Sequence, residues 1–103
     1  MSNAIYYVSY KLKKQASVPD FLAAAEKLNN EFISKQKGYI SWQQLIDNNV
    51  WADVLTFETM DDLNNFKKLS EKPSETAKKF YSFINPFGCK VHIFSVERTM
   101  TKP

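Results

Sequence analysis

Between Ile5 and Leu12 the chain carries apolar or aromatic groups at both odd and even positions, a β-branched and aromatic run that predicts a strand covered on both faces. A period of three to four follows. Val18, Phe21, Leu22, Ala25, Leu28 and Phe32 share one side of a helix whose other positions hold Glu26, Lys27, Asn30, Glu31 and Lys35. Ser17 is placed to cap it, Pro19 is tolerated in its first turn, and Asp20 suits the positive end of its dipole. The pattern carries this helix to Gly38, which can adopt the left-handed conformation that closes it.

Period two returns over Tyr39 to Asp47 and Val50 to Glu58, and Asn48-Asn49 between them predicts a two-residue hairpin turn. That register sets Ile40 opposite Phe57, Trp42 opposite Leu55, Gln44 opposite Asp53 and Ile46 opposite Trp51 on one bulky face, expected to meet the helices. Thr59, with Asp62 three residues on, opens a second helix striped by Leu63, Phe66 and Leu69. Glu71-Lys72-Pro73 interrupts it, Ala77, Phe80, Tyr81 and Ile84 stripe a third short helix, and Asn85-Pro86 stops that one before a last strand from Cys89 to Glu97. The order β-α-β-β-α-(α)-β predicts an α+β, ferredoxin-like βαββαβ fold with a four-stranded antiparallel sheet.

The sheet face opposite the helices would carry Ser41, Gln43, Leu45, Ala52, Val54 and Thr56, joined by Tyr6, Val8, Tyr10 and Leu12 from the first strand. It is too apolar to be left in water. Packing two copies through it would build a barrel, so a homodimer is expected.

The 103 residues suit a single domain spanning 1–103, with residues 1–4 set aside as a small, polar, disordered or tag-derived start. Eight Phe, five Tyr and two Trp are rich for this length and imply a filled core, an interface or an aromatic-lined pocket. A formal charge of +3 comes from scattered lysines beside polar residues, which does not call for nucleic acid. An RNA-binding sheet would share the element order, but Val50 to Phe57 has no glycine or basic residue and turns its rings to the helix side. The lone Cys89 and the absence of a signal-like or membrane-spanning stretch make a reducing, cytoplasmic location and no membrane contact the expectation.

With two glycines, no phosphate-cradling loop or dinucleotide fingerprint can be written. Cys89 and His92 fall on opposite faces of one strand and cannot make a zinc site, so no metal and no cofactor are expected. The chemistry-bearing candidate is Asp53. Opposite Gln44 and among Trp42, Trp51 and Phe57, its carboxylate would be costly unless hydrogen-bonded, paired or facing a cavity. It either floors a pocket or is satisfied near an open edge by a lysine, the Gln44 amide or water. In a pocket its pKa would rise, and it could accept the proton of an enol or phenol. Tyr7 and Ser9 share one face of the first strand and join Trp42, Gln44, Trp51, Phe57 and Phe66 as candidate substrate contacts.

The run Phe57-Glu58-Thr59-Met60-Asp61-Asp62-Leu63 resembles the antibiotic-biosynthesis-monooxygenase-like (ABM-like) branch of the dimeric α+β barrel superfamily. In that family the third strand ends in an aromatic, an acidic and a small hydroxyl residue before an acidic helix start. The long amphipathic helix ahead of Gly38-Tyr39 agrees with it. The resemblance covers Ile5 to Glu97 and implies cofactor-independent oxygenation of a hydrophobic or aromatic small molecule between sheet and helices, or a non-catalytic ligand-binding or regulatory module on the same scaffold. Two positions depart from the pattern. The family commonly has Trp at the place of Phe57 and His at the place of Phe66, and haem-degrading relatives have Asn near Ser9, so the resemblance does not extend to haem degradation.

Overall fold

A computed structural model describes residues 2–103. The strands are β1 (Ala4–Tyr10), β2 (Tyr39–Asp47), β3 (Val50–Phe57) and β4 (Lys90–Ser95); the helices are α1 (Val18–Glu31), α2 (Met60–Ser70) and α3 (Glu75–Tyr81), with a 3-10 turn at Ile33–Lys35. The sheet is antiparallel in the order β2-β3-β1-β4, so the doubly apolar β1 is central. Three helices cover one face, giving the expected ferredoxin-like α+β fold. Among the described residues no helix is long and apolar enough to cross a membrane.

Each helix begins where its side chains can satisfy the free amides of a first turn. Ser17 Oγ accepts from the Asp20 amide at 3.3 Å, Thr59 Oγ1 from Asp62 at 3.1 Å and Ser74 Oγ from Ala77 at 3.2 Å. The first helix is shorter than its hydrophobic period suggested. It ends at Glu31, where Phe32 leaves helical geometry, and Gly38 (φ +79°) turns the chain into β2 instead of closing the helix. Ala4, set aside with the first residues, begins β1 and is buried against the core; residue 1 lies outside the described residues.

The hairpin register holds from Asp47↔Val50 through Ser41↔Thr56, with Asn48 at φ 56° in the turn. Beyond Ser41 it shifts. Phe57 pairs with Tyr39, not Ile40, because a bulge inserts one residue; Ile40 turns outward, and the Tyr39 ring meets Phe57 edge-on at 6.3 Å. Ile46 lies beyond the helices' cover and is exposed.

The phase of β1 corrects a second expectation. Tyr6 pairs with Leu55, Val8 with Asp53 and Tyr10 with Trp51, so Tyr6, Val8 and Tyr10 stand on the helix side, and Leu12 packs on the core beside them. Ile5, Tyr7 and Ser9 take the opposite face. With both parities apolar, only the strand pairing could set this phase. The outer face thus joins Ile5 and Tyr7 to Leu45, Ala52, Val54 and, from β4, Phe94 and His92, whose rings stack at 4.4 Å. Leu45 and Phe94 leave 47% and 46% of their surfaces exposed there.

The core is aromatic. Phe21 stacks on Phe80 at 5.2 Å and meets Trp51 edge-on at 5.1 Å, while Phe57 lies 5.2 Å from Phe66.

Candidate functional site

Between the sheet and the helices lies a cavity of about 360 Å³, a size suited to a small aromatic molecule. Sheet residues Tyr6, Trp42, Asp53 and Leu55 form its floor, Leu28 and Ile33 one wall, and Phe66, Phe80 and Tyr81 the helix side; Lys67, Ser70 and Glu71 complete it at the end of α2.

Asp53 is 3% exposed, and two residues reach it from different strands. The Tyr10 hydroxyl donates to its Oδ1 at 2.9 Å. The Trp42 indole N–H is near enough to favour the charged form, yet falls short of hydrogen-bond geometry and has no partner. Burial lifts the Asp53 carboxyl from 3.8 to about 6, against the opposing pull of Tyr10 and then Trp42. A carboxyl with that value is largely ionised at neutral pH, yet basic enough to take a proton.

The phenols around it are raised as well, which keeps them protonated. Burial and then the Asp53 charge push the Tyr10 hydroxyl far above its ordinary range. Tyr6 is raised by burial and then by Asp53, and Tyr81 by burial, Tyr6 and Asp53 in that order. All three therefore remain hydrogen-bond donors beside one carboxylate. Gln44 Nε2 is also buried without a partner; the amide lies next to Tyr10, where it stabilises the phenolate form and lowers that pKa.

Of the residues picked out in the sequence, the structure brings Asp53, Trp42 and Phe66 to the cavity and sets Gln44 one step behind, against Tyr10. Trp51 is buried against Phe21, and Phe57 is fully buried behind Phe66, so neither lines it. Tyr7 and Ser9 stand on the far face of the sheet, since their strand positions pair with Val54 and Ala52. The tyrosines at the cavity are instead Tyr6 and Tyr81, with Tyr10 holding Asp53 from behind. Pairing β1 so that Tyr10 met Trp51 would have revealed Tyr6 and Tyr10, though not Tyr81 on α3. Among the described residues no three His, Cys, Asp or Glu side chains cluster closely enough to hold a metal ion.

No protein-family model and no curated protein matches the sequence. Solved structures do match the fold. SnoaB, a cofactor-independent oxygenase from Streptomyces nogalater, superposes with TM-score 0.74 at 11% identity over 99% of this chain and 100% of that one. The monooxygenase ActVA-Orf6 of Streptomyces coelicolor, solved with Nanaomycin D, gives 0.69 at 10% identity over 99% and 94% of the two chains. A dimeric ferredoxin-like protein from an uncultured marine organism gives 0.66 at 10% identity over 100% and 95%. The fold expected from the ABM-like resemblance is thus the fold found.

Proposed function

We propose that the chain is an ABM-like, cofactor-independent monooxygenase that works as a homodimer and oxidises a hydrophobic phenol or quinol held between sheet and helices. The observation that carries this reading is Asp53: a carboxyl with a pKa of about 6, buried on the floor of an aromatic-walled cavity.

In this proposal Asp53 accepts the phenolic proton, and the orphan Trp42 N–H donates to the oxygen that becomes negative. The electron-rich phenolate passes one electron to dioxygen, and the resulting superoxide and phenoxyl radical join through a new C–O bond. Protonated Asp53 returns its proton to the peroxide. The O–O bond then breaks, and the ring C–H proton leaves with the departing hydroxide as water, so that a quinone carbonyl remains. All four electrons taken by dioxygen come from the substrate, one oxygen atom enters it and the other becomes water. The chain supplies orientation, proton transfer and exclusion of bulk water.

The outer sheet face supports the homodimer of this reading. Ile5, Tyr7, Leu45, Val54 and Phe94 form an apolar surface that a second copy would cover, and the matched marine protein is itself described as dimeric. The test is oxygen uptake by the purified protein with a panel of phenols and quinols. Uptake with at least one class supports the reading, and none across the panel sets it aside.

A second reading, the non-catalytic ligand-binding module, draws on Phe66. Its ring meets Tyr6 edge-on at 6.4 Å and lines the cavity where the resembled family carries His, so α2 brings no imidazole to the site. A co-purified aromatic ligand that is never converted would favour it.

A further inference from the structure

A second, smaller cavity of about 110 Å³ adjoins the first between α1, α2 and α3, and Leu28, Ile33, Phe66, Ser70 and Tyr81 border both. The two chambers differ in chemistry. Asp53, the Trp42 N–H and Tyr6 all belong to the large one. The small one is lined chiefly by Leu28, Phe32, Ile33, Phe66 and Ala77, with Leu69 and Tyr81, both about half-exposed, at its rim. Its serines are already engaged: Ser70 Oγ donates to the Phe66 carbonyl at 3.0 Å, and Ser74 Oγ accepts from the Ala77 amide at 3.2 Å. Lys72 is exposed at its border. A polar group moved from water into this chamber would lose hydrogen bonds and regain few, whereas a hydrocarbon would lose none.

We infer that the substrate is an amphiphile, an aromatic hydroxyl head in the Asp53 chamber bearing an unbranched alkyl tail that fills the Leu69–Ala77 chamber. The volume sets the tail length. At ~30 Å³ for a group the size of a water molecule, the small chamber takes about four carbons. Each methylene buried there tightens binding about fourfold, until the chamber is full. This assignment rests on the proposed aromatic-binding site but not on its oxygen chemistry.

The test is a binding titration under anaerobic conditions, so that no turnover intervenes, using 2-alkyl-1-naphthols with tails of zero to eight carbons and the quenching of tryptophan fluorescence as the signal. The dissociation constant should fall about fourfold per carbon up to about four carbons and then level off. Ala77→Leu, which fills the small chamber, should flatten the series. Leu69→Lys on the exposed side of the same chamber should reduce the gain per carbon, and Leu69 is 53% exposed, so this variant keeps the test decisive if Ala77→Leu fails to fold. Affinity independent of tail length, a gain that continues unbroken to eight carbons, or a gain unchanged in a folded variant would overturn the inference. A saturating series in a protein that consumes no oxygen would uphold it while removing the oxygenase reading.

Discussion

The hydroxyl of Tyr10 donates to Oδ1 of Asp53 across 2.9 Å, joining two buried side chains of β1 and β3 that stand two pairs apart in the strand register, on the same face of the sheet. This bond favours the ionised carboxyl. Tyr10→Phe therefore raises the Asp53 pKa above its present value of about 6 and destabilises the protein at pH 7 by about 1–3 kcal/mol, the cost of leaving a buried charged acceptor short of a donor. Carbon-detected NMR titration of the Asp53 carboxyl and denaturant unfolding measure the two effects. A carboxyl that titrates unchanged would show the bond to be inconsequential.

The raised pKa of Asp53 also fixes the sign of a stability change with pH. Well below pH 3.8 the carboxyl is protonated in both folded and unfolded states, and burial costs nothing extra. Between the unfolded value of 3.8 and the folded value of about 6, the unfolded chain loses its proton first. The Asp53 contribution therefore falls by ~3 kcal/mol as pH rises through that window and stays flat above it. Asp53→Asn removes this fall and raises stability at pH 7 by about 1–3 kcal/mol, because the amide oxygen can still accept from Tyr10. Unfolding free energies of both proteins from pH 4 to 7 provide the check.

Gly38 meets the second helix too closely to carry a side chain. Its φ of +79° is left-handed, and a Cβ there would overlap the Asp62 carboxylate. Gly38→Ala should cost ~1–2 kcal/mol for the backbone alone and more for displacing Asp62, which thermal or chemical unfolding would register. The Gly38 carbonyl also accepts from the Glu58 amide at 2.7 Å, so part of the loss should appear as faster hydrogen exchange at Glu58.

At the outer sheet face, Val54 pairs with Tyr7 on one side and Gln43 on the other. Val54→Lys would place two unpaired charges in the proposed two-fold interface and weaken dimerisation at least ~100-fold, giving a monomer at micromolar concentration by light scattering. A native protein that is itself monomeric at high concentration would contradict the dimer.

The fold was readable from sequence because its local signals agreed. The hairpin hung on Asn48-Asn49, two helices on the caps of Ser17 and Thr59, and the central place of β1 on its two apolar faces. That same doubly apolar pattern hid which face of β1 looked inward. Tyr7 and Ser9 were therefore read as site residues although they lie outside, while Tyr6 and Tyr10 were assigned to the interface although they flank Asp53. The bulge at Ile40 left no mark in the period-two pattern, since Tyr39 and Ile40 are both hydrophobic. Asp53 itself was legible, as a lone carboxylate on a face of rings. Tyr81 was not, because a helical stripe cannot distinguish a ring that fills the core from one that borders a cavity.

The central claim is that Asp53 performs proton transfer in the cavity, and the pH dependence of kcat/KM for oxygen consumption tests it most directly. With an accepted phenol or quinol, the native protein should gain activity through about pH 6 and level off above it, as the carboxylate forms. Asp53→Asn should lose both the inflection and about 10²–10⁴-fold in rate while still binding the substrate. An Asp53→Asn protein that keeps the native rate and the same inflection would contradict the account.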